Sequence, residues 1–225
     1  MPFPSSVPAL VGAATCALAL SLSPPARADD PPAPISAPQI RASAREYYAS
    51  EMTAAFLFVG YGAITGAAGG VTLAQSGDFA RGFGWSSLIG GGLNVLGGLG
   101  YAAAVKIRGD RYTGYADTDL VRFKEEEGEH IGGTNRHFVL YLGFEVLTTL
   151  AGVGLTAYGL AAKDDLWKGI GLGTAIQGIG LFVIDVPGAL RAAKYDEEVR
   201  RFNPQVGVSM GGGTRPWAAT VSQAF

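Results

Sequence analysis

The sequence predicts an all-α membrane protein with four transmembrane helices, and three observations support this fold class. Only 16% of the 225 residues are charged, whereas 48% are hydrophobic, and soluble domains usually carry a larger charged fraction. Four apolar segments are each long enough to cross a bilayer as a helix. The chain contains 34 glycines, and most of them lie inside these segments. We expect the four-helix transmembrane domain to occupy residues 51–190.

The first 28 residues are predicted to be a signal peptide. Residues 9–22 are apolar, but they are too few for a comfortable span of about 20 residues. Ala26-Arg27-Ala28 fits the small-x-small cleavage pattern and precedes Asp29. No Lys or Arg precedes the apolar stretch, so an uncleaved anchor is the alternative. Cys16, the one cysteine, lies in this segment, and a cleaved chain would therefore form no disulfide.

Residues 29–50 are predicted to form a proline-rich linker and the start of an amphipathic helix. Prolines are concentrated in residues 29–38, which favours an extended segment. Ser36 is suited to cap the helix that follows, and Pro38 is suited to its first turn. The polar helical pattern then continues into the first apolar segment.

The four spans are predicted at residues 52–75, 84–105, 138–160 and 169–190. A soluble bundle of buried helices is the alternative, but segments that are apolar on all sides suit lipid better. Small or polar residues recur every four positions in each span, which predicts a seam where helix backbones approach closely. The glycines expected at these helix contacts are Gly62, Gly66, Gly70, Gly90, Gly98, Gly152 and Gly173.

A shift of 83 residues superimposes the first two spans on the last two. Thr65 then matches Thr148, and Asn94 matches Gln177. Short connections join the spans within each pair. We therefore predict two helical hairpins in the same orientation, a parallel repeat about an axis along the membrane normal.

One side of the membrane, called the large side below, is predicted to hold the N-terminal arm, residues 106–137 and residues 191–225. The last of these comprises a helical extension of span four and a β-like tail. Gly132-Gly133 is expected to interrupt any helix in the middle segment. The large side carries thirteen Lys and Arg residues and the short loops carry three. The positive-inside rule would make the large side cytoplasmic, whereas a cleaved signal peptide, which we favour, places it outside the cytoplasm.

The C-terminal tail is expected to contain two short alternating strands around a glycine-rich turn. Its last strand ends in Phe225 and resembles the final strand of bacterial outer-membrane barrels. This resemblance covers about nine residues, and the remaining chain has no barrel pattern. It implies an integral protein of the bacterial cell envelope and leaves both the inner and the outer membrane open.

Two acidic residues lie inside the predicted spans. Glu145 is in span three and Asp185 is in span four, at similar depths from the large side. Carboxylates are costly at such positions, so the pair is a candidate for a shared proton or cation site. The alternative is that each side chain reaches the headgroups or a basic partner such as Arg136 or Arg191.

Two functions of different classes fit these features. The leading interpretation is a non-enzymatic scaffold or anchor, with residues 106–137 or the tail contacting a protein partner. The alternative is a small proton- or ion-coupled transporter or channel that uses Glu145 and Asp185, with Asn94 and Gln177 lining the path. The sequence contains no nucleophile–base motif and no nucleic-acid footprint, and it predicts no cofactor or metal. The orientation of the two carboxylates separates the two functions.

Overall fold

The computed structural model describes residues 34–204, which fold into four long helices joined by short connections. The helices are α1 (Ala37–Leu73), α2 (Asp78–Thr118), α3 (Leu120–Ala162) and α4 (Asp165–Arg201). Each contains a window long and apolar enough to cross a membrane, which confirms the predicted all-helical fold with four helices that could span a membrane. The predicted signal peptide, most of the linker and the β-like tail from residue 205 lie outside the described residues.

Local side-chain chemistry explains where the helices begin. The backbone N–H of Ser36 donates to Gln39 Oε1 at 2.9 Å at the start of α1, where Pro38 occupies the first turn. Asp119 accepts a hydrogen bond from the backbone of Arg122 at the start of α3. Asp164 accepts bonds from the backbone of Leu166 and Trp167 at the start of α4. These caps satisfy N–H groups that have no partner within the helix.

The helices extend well beyond the predicted spans on the large side. There they form a compact bundle of residues 37–51, 106–118, 120–137 and 191–201, which we call the large-side bundle. The expected interruption at Gly132-Gly133 is wrong, because α3 is continuous through both residues. A glycine costs a helix roughly 1 kcal/mol relative to alanine, and the neighbouring Ile131, which is fully buried, offsets this cost by packing into the bundle.

The spans and the large-side bundle have opposite packing patterns. In the spans, large aliphatic side chains point outward, with Ile64, Leu96 and Val139 each at least 70% exposed. In the large-side bundle, aromatic and aliphatic side chains point inward. Its buried core, together with the adjoining Val105, Phe138 and Phe202, contains Ile40, Ala44, Tyr47, Tyr48, Tyr112, Ala116, Phe123, Ile131, Ala192, Tyr195 and Val199. An apolar exterior on the spans suits a lipid environment, and an apolar interior suits a water-facing bundle.

The helices pack as two hairpins that share a central contact. α1 packs along α2, α3 packs along α4, and α2 and α4 pack against each other. α1 also contacts α4, whereas α2 and α3 share few contacts. α2 and α3 meet at Asp119 and through Tyr112, whose ring stacks on His130 at 5.2 Å between centroids. An opening therefore remains between α2 and α3.

Glycines allow α1 and α2 to pack backbone against backbone. A Cβ added to Gly62 would lie 2.5 Å from the Gly91 carbonyl oxygen, and one added to Gly69 would lie 2.6 Å from the Leu88 nitrogen. At Gly66 the nearest atom would be 3.8 Å away, and at Gly70 no atom lies within 4 Å. The contact therefore includes Gly69 instead of Gly70, because a helix of 3.6 residues per turn returns to one face after seven residues.

The remaining predicted packing glycines lie at the contact between α1 and α2 and at two further helix contacts. A Cβ on Gly98 would lie 2.8 Å from Val59 of α1. On Gly90 it would lie 2.8 Å from the Gln177 side chain. A Cβ on Gly152 would overlap the Ala175 backbone, and one on Gly173 would overlap Ser86 Oγ. Glycine thus permits close approach within both hairpins and between α2 and α4.

Candidate functional site

A cavity of about 760 Å³ occupies the opening between α2 and α3. Leu181 and Asp185 of α4 and Phe58 of α1 also contribute to its wall. Asn94 lines it at the depth of the spans, and Arg108 and His130 line it in the large-side bundle. The cavity therefore runs from the membrane-spanning region to the large side, and its volume lies within the range of small-molecule sites.

Aromatic side chains form much of the wall. Phe58, Tyr101, Phe138, Tyr141 and Phe144 all line the cavity. Tyr141 and Phe144 are 57% and 66% exposed, so the wall is incomplete where the two helices diverge. These two residues belong to an apolar span, and the cavity is consequently open on the outer surface of the spans as well as toward the large side.

The structure brings the two predicted acidic residues together on this wall. Glu145 is only 4% exposed, and its carboxyl group interacts directly with that of Asp185. Glu145 Oε2 is buried and has no hydrogen-bond partner. Within residues 34–204, the ion pairs formed at 4.0 Å or less include neither carboxylate. Glu145 is thus buried, Asp185 is half-buried beside it, and both line the cavity.

The two predicted polar lining residues contact each other. Asn94 Nδ2 donates to Gln177 Oε1 at 2.8 Å, which links α2 to α4. Asn94 lines the cavity, whereas Gln177 is buried behind it and donates to the Ser87 carbonyl at 3.5 Å. Three of the four predicted site residues, Glu145, Asp185 and Asn94, therefore reach the same cavity.

A group of polar residues around Glu51 adjoins this pair and was not predicted. Glu51 of α1 is 2% exposed, and the Tyr101 hydroxyl donates a hydrogen bond to its Oε2. Arg191 of α4 lies 4.0 Å from Glu51 Oε1, and Asp185 is near enough to interact electrostatically with Glu51 and Tyr101. All four helices therefore contribute polar groups to one region. Glu51 directly precedes the first predicted span, where a carboxylate looks like an ordinary interfacial residue.

Glu127 is a further buried carboxylate, located in the large-side bundle. It is fully buried, and the Tyr48 hydroxyl donates to its oxygens at 2.9 and 3.0 Å. Burial raises the pKa of Glu127 to about 8, although the hydrogen bond from Tyr48, the nearby Tyr195 hydroxyl and the charge of Arg108 act in the opposite direction. Nothing in the charged sequence around Glu127 distinguishes it from its exposed neighbours, so the sequence does not reveal this site.

His130 lines the large-side end of the cavity as a neutral group at pH 7. Burial, together with the nearby charge of Arg108, lowers its pKa to about 4. Arg108 also interacts electrostatically with Glu127. The positive charge at this end is therefore Arg108, which already faces an acidic neighbour.

Comparisons with known proteins add no further assignment to this geometry. The chain matches no protein-family model, no curated protein and no solved structure.

Proposed function

We propose that this protein is a small proton- or ion-coupled transporter in which Glu145 and Asp185 form a shared proton or cation site. The observation that supports this function is the pairing of the two carboxyl groups on the cavity wall, where no Lys or Arg among residues 34–204 lies within ion-pair distance of them. An anchor or scaffold has no need for such a pair inside the membrane. Ionisable residues in this setting are rare and commonly mark transport pathways.

Repulsion between the two carboxylate charges explains why the site would bind a proton or a cation. Two negative charges in contact repel strongly where water is scarce, because the effective dielectric constant is low. A bound proton or a bound cation removes this repulsion, and the pair then titrates as one unit. One ligand therefore displaces the other, and this competition is the basis of exchange between protons and a cation.

Several other charged or titratable groups face the pair from the surrounding helices, and they set its local potential. They are Glu51 on α1, Tyr101 and Arg108 on α2, His130 and His137 on α3, and Arg191 on α4. Arg191 is within 4.0 Å of Glu51 and Arg108 interacts with Glu127, so each basic group has another acidic neighbour. Glu145 and Asp185 thus remain available to a mobile cation.

The 83-residue repeat is part of this proposal, and equivalent contacts support it. Asn94 and Gln177, which the shift superimposes, hydrogen-bond to each other, as expected for residues beside a pseudo-twofold axis. Gly69 packs against Leu88 in the first hairpin, and Gly152 packs against Gly171 in the second. The shift of 83 residues converts the first contact into the second.

The two hairpins differ at one pair of equivalent contacts. Between α1 and α4, Tyr61 lies directly against Gly180, and its hydroxyl donates to the Ile176 carbonyl at 2.6 Å. The equivalent residues between α3 and α2 are Phe144 and Gly97, which line the open cavity. The contact is therefore closed between α1 and α4, and its equivalent between α3 and α2 is open. A transporter that alternates its access needs two such arrangements of similar energy.

The proposed location is a bacterial envelope membrane, supported by the apolar stretch and the small-x-small pattern within residues 9–28 and by the alternating pattern of the tail. The large-side bundle buries one face of residues 106–137 in its own core, through Tyr112, Ala116, Phe123 and Ile131. These residues contribute to the fold of the bundle and need no protein partner to bury them.

The test is a flux assay in reconstituted vesicles. Purified protein is incorporated into vesicles that contain a trapped pH indicator, and a gradient of Na⁺, K⁺ or tetraphenylphosphonium is imposed. We expect at least one cation gradient to drive proton movement in the opposite direction. Asp185→Asn and Glu145→Gln should abolish this flux. Asp110→Asn, which neutralises an exposed carboxylate paired with Lys106, is the matched control and should retain it.

Loss of flux in the two cavity variants with normal reconstitution supports the transporter function. The absence of flux in the unmodified protein with every cation would contradict it, and the scaffold or anchor function would then be preferred. Equal flux in the unmodified protein and in Asp185→Asn would remove the carboxylate pair from the mechanism.

A further inference from the structure

We propose that the cavity between α2 and α3 binds a hydrophobic organic cation that enters laterally from the bilayer. This inference names the substrate class of the proposed transporter and rests on the same carboxylate pair. It concerns equilibrium binding, however, and binding is measured separately from transport.

The charge of the cavity selects a cation. At the depth of the spans the wall presents Glu145 and Asp185, and Glu145 Oε2 is a buried acceptor without a hydrogen-bond donor. Arg108 is the basic residue on the wall, at the large-side end beside Glu127. A cationic ligand seated at the deep end would neutralise the two carboxylates, whereas an anion there would meet two negative charges.

The aromatic wall selects an organic cation with apolar bulk over a hydrated metal ion. Five Phe and Tyr side chains line the cavity, and their ring faces attract cations that have lost their water. The cavity volume of about 760 Å³ is far larger than an inorganic ion requires. A drug-sized cation would fill this space and bury apolar surface, which adds to the electrostatic attraction.

The opening between α2 and α3 supplies a lateral access route. Leu93, Tyr141 and Phe144 line the cavity and are also more than half exposed at the depth of the bilayer. Gly97 adds no side chain to this opening, and the space beside it is open, because a Cβ there would meet no described atom within 4 Å. A ligand dissolved among the acyl chains can therefore reach the carboxylates without first crossing the aqueous large side. Hydrophobic cations partition into membranes, so the route matches the ligand.

The experiment uses two probes of the same shape and opposite charge. Purified full-length protein in detergent is titrated with radiolabelled tetraphenylphosphonium, and the titration is repeated with tetraphenylborate. We expect saturable binding of the cation and at least about ten-fold weaker binding of the anion. Glu145→Gln should weaken cation binding by about ten-fold or more, because one of the two neutralising charges is removed.

Two further variants keep the test informative if Glu145→Gln is poorly folded. Phe144→Ala removes an aromatic ring from the cavity wall and should weaken cation binding by about five-fold. Phe56→Ala removes a ring that is 59% exposed and does not line the cavity. This control should bind the cation as the unmodified protein does.

The outcomes separate this inference from the proposed function. Saturable cation binding that is sensitive to Phe144→Ala, combined with no proton flux, supports the binding site and contradicts transport. Flux driven by Na⁺ or K⁺ without tetraphenylphosphonium binding would overturn the organic-cation site and leave the transporter function in place. Equal binding of both probes, or equal effects of Phe144→Ala and Phe56→Ala, would also overturn it.

Discussion

The buried carboxylate Glu127 should make the stability of the large-side bundle depend on pH. Its pKa in the folded protein is about 8, compared with 4.5 for a solvated glutamate. The folded state therefore binds more protons than the unfolded state between these values. Stability from this group is fully present below pH 4.5 and is lost as the pH rises through 8. At 1.36 kcal/mol for each pH unit, the full change is roughly 5 kcal/mol.

The assay is thermal unfolding in detergent between pH 4.5 and 9. For a chain of this size, a change of that magnitude lowers the melting temperature on the order of 10 °C. Glu127→Gln removes the titrating group and keeps the shape, so we expect a much weaker pH dependence and a higher melting temperature than the unmodified protein above pH 8. Glu125→Gln changes an exposed neighbour and should follow the unmodified protein. Parallel pH profiles for the unmodified protein and Glu127→Gln would show that Glu127 does not cause the pH dependence.

Two further predictions concern packing and hydrogen bonding in the membrane domain. Gly91→Leu should destabilise the protein by at least about 3 kcal/mol, because its Cβ would overlap the Gly66 backbone. Gly92→Leu should be nearly neutral in detergent melting, since a Cβ there meets no atom within 4 Å, and equal effects of the two would count against the seam. Tyr101→Phe should cost about 1–3 kcal/mol in the same assay by removing the donor to the buried Glu51 carboxylate, and an unchanged melting temperature would contradict this hydrogen bond.

The spans and the acidic pair could be predicted because both depend on local patterns. A run of about 20 apolar residues is sufficient to indicate a transmembrane helix. Glu145 and Asp185 could be paired because spans joined by a short connection are antiparallel neighbours, so equal distances from one end give equal depths. Their contact across α3 and α4 follows from this simple geometry.

The other buried polar groups could not be predicted because their burial depends on tertiary packing. Glu127 lies in a charged stretch, and it is enclosed by residues distant in sequence, such as Tyr48 of α1. Glu51 is buried by Tyr101 from α2 and Arg191 from α4, which are distant in sequence. The continuity of α3 through Gly132-Gly133 has the same origin, since packing around Ile131 outweighs a weak local preference.

The most direct test of the central claim is the number of protons released when a cation binds. Tetraphenylphosphonium is added to the purified protein in weakly buffered detergent, and the released protons are counted. We expect release of a substantial fraction of one proton per bound cation near the pH at which the Glu145 and Asp185 pair titrates. A variant carrying both Glu145→Gln and Asp185→Asn should release none. Cation binding without proton release at every pH from 5 to 9, or equal release from that variant, would contradict a shared proton and cation site.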